Sequence, residues 1–370
     1  MIKMRELTFS KEDNIIKYVI GENDEPCAMG SFDPQAVNSG DIFCGIIREH
    51  APTSAGGAEA YFADIGDART AYLESGLYKT GSRVLLQVLV AAHDGKGALV
   101  TDKIESAGEL CHIIFAPGDG GRIKISKKIT DERERETLTA ACEGFAKKLN
   151  GYGLIITART DAAGHVAEFI RETRLLISEF ESVLEHFGRS REIESLRKNS
   201  FWEQLLRTYR NIGFDKITTD DSVLAEYCRG YFANRLATPE IAVKGGRFSV
   251  FDVVASASRV SRYTGKKILL RTGAWLTCEK TEAMYVFDVN SGSSKKAAAE
   301  INREAAEVIM RVLALRNLSG IIMCDFINTD KAEGLGLTEY MKSLMPADYA
   351  YVEICGLTRL GVMEIMRRRI

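Results

Sequence analysis

Two apolar runs of strand length flank a helix-like segment in the last third of the chain, and this order restricts the fold most. The runs are 283–289 (AMYVFDV) and 320–327 (GIIMCDFI). Between them, apolar residues recur at the three- and four-residue spacing of a helix, at Ile301, Ala305, Val308, Ile309, Val312 and Leu313. A strand, a crossover helix and a second strand form a βαβ unit, so this segment predicts two parallel strands in one sheet.

Each predicted strand carries an aspartate near its carboxyl end, Asp288 in the first and Asp325 in the second. Neighbouring parallel strands end at the same edge of a sheet, where open α/β sheets usually bind ligands, so we expect the two carboxylates to meet there. A carboxylate among apolar neighbours is costly to bury unless it binds something. Asn290 lies two residues beyond Asp288, on the same side of an extended chain, and is predicted to orient an aspartate or the substrate.

Two close carboxylates repel each other unless a cation joins them. Mg²⁺ suits such a pair because it prefers oxygen ligands and often takes only one or two protein carboxylates, leaving positions for water and phosphate. A site that hydrolyses phosphodiesters is one interpretation. The other is structural, since an aspartate at the end of a strand commonly caps a turn or a helix.

The composition is that of a globular protein with more than one domain, with 370 residues of which 45% are hydrophobic and 27% are charged. A net charge of −2 gives no overall preference for nucleic acid. No apolar leader and no run of about 18 apolar residues occurs, so we expect a cytoplasmic protein without a membrane segment. The eight cysteines form no CxxC pair and are predicted to be buried thiols.

The pattern changes along the chain. Short alternating runs up to about residue 38 predict strands, and five short runs between residues 40 and 104 predict a small barrel of the oligonucleotide-binding type. Two further strands and a charged helix are predicted up to about residue 160. Between 165 and 210 the spacing predicts a long helix and then a second helix over EIESLRKNSFWEQLLRTYR, whose basic residues favour a solvated face over an RNA contact.

The segments TEAMYVFDVNSG (281–292) and INREAAEVIMRVLALRNLSGIIMCDFI (301–327) resemble the catalytic core of the ribonuclease E/G family of bacterial endoribonucleases. The resemblance implies that Asp288 and Asp325 are catalytic and ligate Mg²⁺, with Mn²⁺ as a substitute, and that Asn290 positions one of them. The family pattern is matched in order at Thr281, Glu282, Ala283, Asp288, Asn290, Ser291, Asn302, Glu304, Ala305, Ala306, Leu315, Arg316, Leu318, Gly320, Asp325, Phe326 and Ile327.

The resemblance also implies a fold of several α+β and α/β subdomains. A ribonuclease-H-like subdomain is expected over residues 1–38 and 213–267, interrupted by an S1 RNA-binding barrel of the OB type over 39–104. A 5′-sensor-like and helical region is expected over 105–212. An α/β catalytic subdomain similar to DNase I is expected over 268–370.

Several RNA-binding residues are implied. Phe62 and Tyr72 are similar to family aromatics that stack on bases, although a place in the barrel core is an equally good interpretation. Lys96, in GKGALVT, matches a family Lys-Gly pair, and its simpler interpretation is a hairpin lysine. In the sensor region, Lys127 and Lys128 stand where arginines are usual, and they keep the charge but lose the bidentate guanidinium fork.

Two further segments complete the implied RNA-binding set. Arg159 and Thr160 are matched to the pair that caps a 5′-monophosphate in the family. The end of the chain, GLTRLGVMEIMRRR, is similar to the family's closing motif and makes Arg359 a candidate phosphate contact. The arginines at 367–369 are a second candidate there, against the simpler interpretation of a solvated tail.

Three departures from the family pattern affect these expectations. The segment SGSSKKAAAE (291–300) is shorter and more basic than the Gly-rich acidic loop that commonly follows Asp-x-Asn. Asn328 replaces an acidic residue after Asp-Phe-Ile. The resemblance ends before the cysteine-containing zinc-link of larger relatives, so neither a structural zinc site nor a zinc-linked oligomer is expected.

The sequence thus predicts a Mg²⁺-dependent endoribonuclease that cleaves single-stranded RNA to leave 5′-phosphate and 3′-hydroxyl ends. The first alternative is a catalytically impaired RNA-binding protein of the same fold, in which the altered segment after Asp288 has disabled the site. The second is a metal-dependent phosphatase or nucleotide hydrolase, for which the predicted barrel has no purpose.

Overall fold

The computed structural model describes residues 4–23, 25–52, 59–74, 77–93, 95–118, 120–145, 149, 151–209, 213–233, 238–256, 258–327, 331–344 and 351–368. The chain divides into two compact units, one formed by residues 1–32 with 208–370 and the other by residues 33–207. Among the described helices, none is long and apolar enough to cross a membrane.

The chain is a mixed α/β protein in which the described elements before residue 126 are strands, and helices and strands are mixed after that point. In chain order the strands are β1 (Arg5–Glu12), β2 (Ile15–Glu22), β3 (Glu25–Phe32), β4 (Ile42–His50), β5 (Ala60–Asp64), β6 (Ala71–Glu74), β7 (Arg83–Val90), β8 (Leu99–Thr101), β9 (Ile104–Ala107), β10 (Cys111–Pro117), β11 (Arg122–Ile125), β12 (Tyr152–Ala158), β13 (Glu194–Arg197), β14 (Lys216–Thr219), β15 (Glu240–Val243), β16 (Lys267–Leu269), β17 (Trp275–Lys280), β18 (Met284–Asn290), β19 (Gly320–Asp325), β20 (Val352–Leu357) and β21 (Val362–Arg367). The helices are α1 (Glu132–Glu143), α2 (Val166–Arg189), α3 (Phe201–Thr208), α4 (Ser222–Phe232), α5 (Val250–Ser256), α6 (Ser258–Thr264), α7 (Ala298–Leu315) and α8 (Lys331–Ser343), with a 3₁₀ turn at Thr160–Ala162.

Five strands of the 33–207 unit close into a small barrel. β4, β5, β6, β8 and β7 are neighbours in that order, and β4 also pairs with β7. Alternate residues fill the interior, among them the buried Ile47, Tyr61, Leu73 and Val88. The barrel predicted over residues 40–104 is therefore confirmed.

The rest of this unit is a four-stranded sheet, in the order β11-β12-β10-β9, packed against helices. The long helix α2 buries one apolar stripe, and its Phe180 ring stacks on Phe115 of β10 with a centroid distance of 3.8 Å. The helix predicted from residue 165 is confirmed.

The second helix predicted in this region is partly wrong. Residues 194–197 form strand β13, which pairs antiparallel with β4, and only residues 201–208 are helical. A capping box starts this short helix, because Glu203 accepts a hydrogen bond from the Ser200 backbone N–H at 2.7 Å and Ser200 Oγ accepts one from the Glu203 N–H at 3.3 Å. The Ser-x-x-Glu spacing was visible in the sequence and marked where the helix begins.

The other unit contains two sheets. The first has the order β15-β14-β1-β2-β3 and so joins the start of the chain to residues 216–243. The second has the order β16-β17-β18-β19-β21-β20. Within the second sheet β18 and β19 are parallel neighbours joined through α7, which confirms the predicted βαβ unit.

Helix α7 covers one face of this six-stranded sheet. Its buried side chains, including Ile301, Ala305 and Ile309, belong to the same core as Phe287 of β18 and Ile322 of β19. The opposite face of the sheet carries exposed side chains, and we call it the open face. Its exposed members include Asp288, Ile321, Asp325, Glu353 and Met366.

The end of α7 fixes where β19 begins. The Leu318 N–H donates to the Leu313 carbonyl at 3.0 Å, and Asn317 has a φ of 45°, as in a helix that ends with a left-handed residue. The chain then reverses and enters β19 at Gly320, which has a φ of 99°. This turn sets the register that places Asp325 beside Asp288.

The cysteines agree with the expectation in most cases. All eight are free thiols, and six of them are buried. Cys355 differs, because it lies exposed on β20, the strand at the edge of the six-stranded sheet.

Candidate functional site

The two predicted catalytic aspartates are direct neighbours across β18 and β19. Asp288 and Asp325 are register partners, each at or near the carboxyl end of its strand. The flanking residues Phe287, Val289 and Cys324 are buried toward α7, whereas both aspartate side chains are exposed on the open face. The burial cost expected from the apolar surroundings is therefore absent, and solvent reaches the pair from one side.

Asn290 lies beside Asp288, as its position two residues along the strand predicted. Its Nδ2 donates a hydrogen bond to Asp288 Oδ2 at 2.8 Å. This bond fixes the orientation of one carboxylate and leaves the other oxygen of Asp288 directed elsewhere. An amide that holds a ligand carboxylate in place is a common feature around metal ions in proteins.

The donor set fits a hard divalent cation. Two carboxylates on register partners and one amide bonded to the first of them offer oxygen as a ligand atom. In the described part of the chain, no group of three or more His, Cys, Asp or Glu side chains is arranged to hold a metal ion. Carboxylate and amide oxygens are the ligands that hard divalent cations take, and such an ion can be held by only one or two protein carboxylates.

Helix α7 holds the segment that follows Asp325. Asn302 is buried, and its Nδ2 donates to the Ile327 carbonyl at 2.8 Å while its Oδ1 accepts from the Ile327 N–H at 3.0 Å. The Asn302 side chain thus makes the two hydrogen bonds to Ile327 that the backbone of a neighbouring strand would make, two residues after Asp325. The departure at Asn328 lies outside the described residues.

The same helix holds a second loop at this edge. The Glu304 carboxylate accepts hydrogen bonds from the backbone N–H groups of Arg271 at 2.5 Å and Thr272 at 2.9 Å. These residues lead into β17, whose first residue, Trp275, is the register partner of Asn290. The sequence matched Asn302 and Glu304 to the family pattern but assigned them no role; their polar character on an otherwise apolar helix was the available signal.

Arg359 lies at the tip of the β20–β21 hairpin. Val362, at the base of this tip, is the register partner of Asp325, so the hairpin ends at the same edge as the two aspartates. Thr358 Oγ1 accepts from the N–H groups of Leu360 at 3.2 Å and Val362 at 3.1 Å, which gives the tip a fixed shape. Arg359 itself is exposed.

The arginines near the end of the chain differ in burial and in their partners. Arg367 is 1% exposed, faces the core, and donates to Asn317 Oδ1 at 3.0 Å and to the Leu318 carbonyl at 2.6 Å. The suggestion that it contacts substrate phosphate is wrong, and so is the alternative of a solvated tail at this position. Arg368 is exposed and lies over the Tyr351 ring, and residue 369 is outside the described residues.

On the barrel, Phe62 and Tyr72 form a pair on the outer surface. They are register partners of β5 and β6, and their ring centroids are 6.0 Å apart. Both rings are partly exposed, while their strand neighbours Tyr61 and Leu73 fill the interior. Of the two interpretations made from the sequence, a place in the barrel core does not fit this geometry. Lys96 is exposed in the turn that its backbone closes with His93.

The four sensor-region candidates come together. β11 and β12 are parallel, and Ile125 is the register partner of Ala158, so the residues after each strand are adjacent. Ser126 Oγ lies 3.0 Å from Thr160 Oγ1. Lys127 and Lys128 are exposed in the turn after β11, and Arg159 is half-buried at the start of the 3₁₀ turn. The cationic side chains of Lys127, Lys128 and Arg159 thus lie at one corner of the four-stranded sheet.

Comparison with known proteins places the chain in a family. The model of the family described as "Ribonuclease E/G family" matches residues 109–370. Ribonuclease E of Nostoc sp. (strain PCC 7120) is 28% identical over 89% of this chain and 51% of its own length. Ribonuclease G of Haemophilus influenzae is 26% identical and that of Escherichia coli K12 is 25% identical, each over 89% of this chain and 72% of its own length.

These relatives differ in how much of their own length is matched. The chain spans about half the length of the ribonuclease E of Nostoc and 72% of the two ribonucleases G. The family match covers well over half of this chain and includes both aspartates of the site. The chain therefore belongs to the ribonuclease E/G family.

Proposed function

We propose that this chain is a divalent-metal-dependent endoribonuclease that cleaves single-stranded RNA and leaves 5′-phosphate and 3′-hydroxyl ends. The observation that supports it most is the pairing of Asp288 with Asp325 on the exposed face of the sheet, with Asn290 bonded to one of them. The relatives are named ribonuclease E and ribonuclease G, which agrees with this chemistry.

Asp288 and Asp325 would hold the metal, Mg²⁺ by preference and Mn²⁺ as a substitute. When bound, the metal would lower the pKa of a water molecule and neutralise charge that develops on the phosphate. Asn290 keeps the Asp288 carboxylate in one orientation. The oxygen of the attacking water forms a bond to phosphorus as the bond from phosphorus to the 3′ oxygen breaks. The 3′ oxygen then takes up a proton. Arg359 approaches from the hairpin tip and binds a substrate phosphate.

The 33–207 unit would supply RNA affinity. We assign Phe62 and Tyr72 to base stacking and Lys96 to a nearby phosphate, and we assign Lys127, Lys128, Arg159 and Thr160 to recognition of a 5′-phosphate. The barrel would correspond to the S1 domain of the family, the four-stranded sheet with α2 to its 5′-sensor-like region, and the two sheets of the other unit to its ribonuclease-H-like and DNase-I-like subdomains, with the boundaries given above. We also propose a cytoplasmic location and an assembly that is not zinc-linked.

The non-catalytic alternative rests on one observation, the short basic segment 291–300 in place of an acidic loop. Against it, both aspartates are exposed and adjacent, and the Asn290 bond is formed. A protein that only binds RNA has no need of this arrangement. A phosphatase, in turn, has no need of the aromatic pair on the barrel.

Metal removal separates these functions. A fluorescent single-stranded RNA with a 5′-monophosphate should be cut in the presence of Mg²⁺ or Mn²⁺ and remain intact with EDTA, because the aspartates alone do not activate water. The products should carry 5′-phosphate ends, which a ligase accepts. A p-nitrophenyl phosphate assay run in parallel should show no turnover. Binding of the RNA without cleavage under all metal conditions would support the non-catalytic alternative instead.

Removing the barrel aromatics should weaken RNA binding. Stacking is worth about 1–3 kcal/mol per base, so Phe62→Ala and Tyr72→Ala should each raise the Kd for a single-stranded RNA by roughly 5- to 150-fold. Fluorescence anisotropy measures this directly. Tyr72→Phe is the matched control because it keeps the ring and removes only the hydroxyl that donates to Glu74 Oε1 at 3.0 Å. An unchanged Kd in both alanine variants would remove these residues from the binding surface.

A further inference from the structure

A cleft of about 400 Å³ is formed by α7 and the segments that pack next to it. Five cationic side chains line it, and they come from α6, from the loop before β17, from the segment before α7 and from α7 itself. They are Arg262, Arg271, Lys296, Arg303 and Arg311. The loop of Arg271 leads to the partner of Asn290, and Lys296 lies between β18 and α7, so the cleft adjoins the edge that carries Asp288.

Three of these cations have carboxylate partners. Lys296 Nζ is 2.8 Å from Glu300 Oε1, while Arg271 and Arg311 share Glu25 at 3.5 Å and 3.3 Å. The side chains of Lys296 and Arg271 are 54% and 74% exposed, so solvent screens their pairs and leaves both cations available to a stronger anion. Arg311 is 31% exposed and is held more firmly by Glu25.

The other two cations have aromatic rather than acidic neighbours. The Arg262 guanidinium lies 4.5 Å from the centre of the Tyr263 ring, and that of Arg303 lies 3.8 Å from the centre of the Tyr340 ring. Within the described residues, neither arginine has a carboxylate at salt-bridge distance. Stacking on a ring holds a guanidinium in place, and a guanidinium has five N–H groups. Arg303 uses part of this capacity in a hydrogen bond to the Tyr340 side chain, and its other N–H groups can bind an anion.

Two polar atoms of the cleft lining are buried without a hydrogen-bond partner among the described residues. They are Nε of Arg262 and Oγ1 of Thr272. A buried donor without a partner is uncommon in proteins and costs about 1–3 kcal/mol. A ligand that accepts hydrogen bonds from both would remove this cost.

We propose that this cleft is a second phosphate-binding site, which takes a backbone phosphate of the RNA outside the scissile bond. A phosphate accepts from a guanidinium, a hydroxyl and an ammonium group at once, and the lining offers all three kinds of donor. Three carboxylates also line the cleft, and each already has a partner: Glu300 with Lys296, Glu304 with the N–H groups of Arg271 and Thr272, and Glu307 with the Tyr340 hydroxyl. The RNA backbone is the expected source because the loop before β17 and the segment before α7, which both line the cleft, adjoin the end of β18. A strand that passes the aspartates on the open face would reach the cleft around this end of the sheet, with one phosphate per nucleotide. This inference rests on the proposed function.

The test compares RNAs of two lengths around one cleavage site. The variant is Arg262→Gln with Arg303→Gln, and the matched control is Arg229→Gln with Lys342→Gln, which removes two exposed, ion-paired cations of the same unit. For an RNA of about twelve nucleotides the variant should raise KM about 10- to 100-fold, since a charge-assisted hydrogen bond is worth about 1.5–3 kcal/mol. For an RNA of about four nucleotides, KM should stay within about twofold of wild type.

The salt dependence gives a second measurement on the same proteins. Each phosphate contact contributes a slope of about −0.7 to the dependence of log affinity on log salt for single strands. With the long RNA, the slope for the variant should be shallower than that of wild type by about one such contact. The slope for the control should equal that of wild type. Equal KM values for variant and wild type at both lengths, or an equal loss at both lengths, would overturn the proposal. If wild type cleaves neither RNA, the proposed function is wrong. The phosphate site is then tested by RNA binding alone, and it is overturned if the salt slope of RNA affinity is the same in the variant and in wild type.

Discussion

Asp288→Asn and Asp325→Asn are each expected to lower the rate of RNA cleavage by at least about 1,000-fold while leaving RNA affinity nearly unchanged. Each substitution removes one of the two negative charges that would hold the cation, and a metal ion supplies several kcal/mol of transition-state stabilisation. The side chains are exposed, so the amide is accommodated without a folding penalty. Single-turnover cleavage of a fluorescent RNA measures the rate, and anisotropy measures the affinity.

Two controls make this result specific. Asn290→Ala should lower the rate less, about 10- to 100-fold, because it removes only the bond that orients Asp288. Glu353→Gln removes an exposed carboxylate from the opposite edge of the same open face and should leave the rate unchanged. Rapid cleavage by Asp288→Asn or Asp325→Asn at saturating Mg²⁺ would show that the pair does not hold the catalytic metal.

Asn302→Ala is expected to lower both stability and activity. The side chain is 4% exposed and makes two hydrogen bonds to the backbone of Ile327, so its removal should cost about 2–4 kcal/mol and lower Tm by roughly 5–10 °C. The segment after Asp325 then loses its attachment to α7. A displacement of about 1 Å in a catalytic group commonly costs about 100-fold in rate, and we expect a loss of kcat of that order.

Asn302→Asp distinguishes the two bonds. The ionised carboxylate still accepts from the Ile327 N–H, but it is buried and faces the Ile327 carbonyl, which is unfavourable. A protonated carboxyl can donate to that carbonyl as well, so the loss of stability in the Asp variant should be smaller at acid pH than at neutral pH. Hydrogen exchange of the Ile327 amide should accelerate strongly in the alanine variant and weakly in the aspartate variant. Equal exchange in all three proteins would mean that Asn302 does not hold this segment.

The parts of the fold that follow from local pattern were predicted from the sequence. The strand, helix and strand around α7 have strong periodicity, and their parallel pairing follows from the length of the crossover. The same two features, periodicity and crossover length, are enough to predict that Asp288 and Asp325 lie near each other. The barrel strands were likewise visible because turn residues separate them.

What the sequence did not reveal depends on contacts between distant segments. β13 was assigned to a helix because its residues have helical spacing, but pairing with β4, about 150 positions earlier, decides its conformation. The exposure of Asp288 depends on which face of the sheet α7 covers, and that is a tertiary property. The burial of Arg367 depends in the same way on Asn317 at the end of a distant helix.

The cleft of cations is the clearest example of this limit. Its lining comes from residue 262, residues 271 and 272, and residues 296–311, and none of these segments is unusually basic in the chain. Only the packing of α6 and the loop before β17 against α7 brings the charges together. A motif search along the chain has no signal for such a site.

Helix α7 holds the chain on both sides of the sheet edge that carries the two aspartates, through Asn302 to the segment after β19 and through Glu304 to the loop before β17. Neither attachment involves the connection from β18 to α7, residues 291–297. That connection has a bond of its own, from Ser294 Oγ to the Thr272 carbonyl at 2.6 Å. A change in its length or charge would disturb this bond but leave both attachments of α7 in place. A different connection would then change what approaches the proposed site while the two aspartates keep their positions.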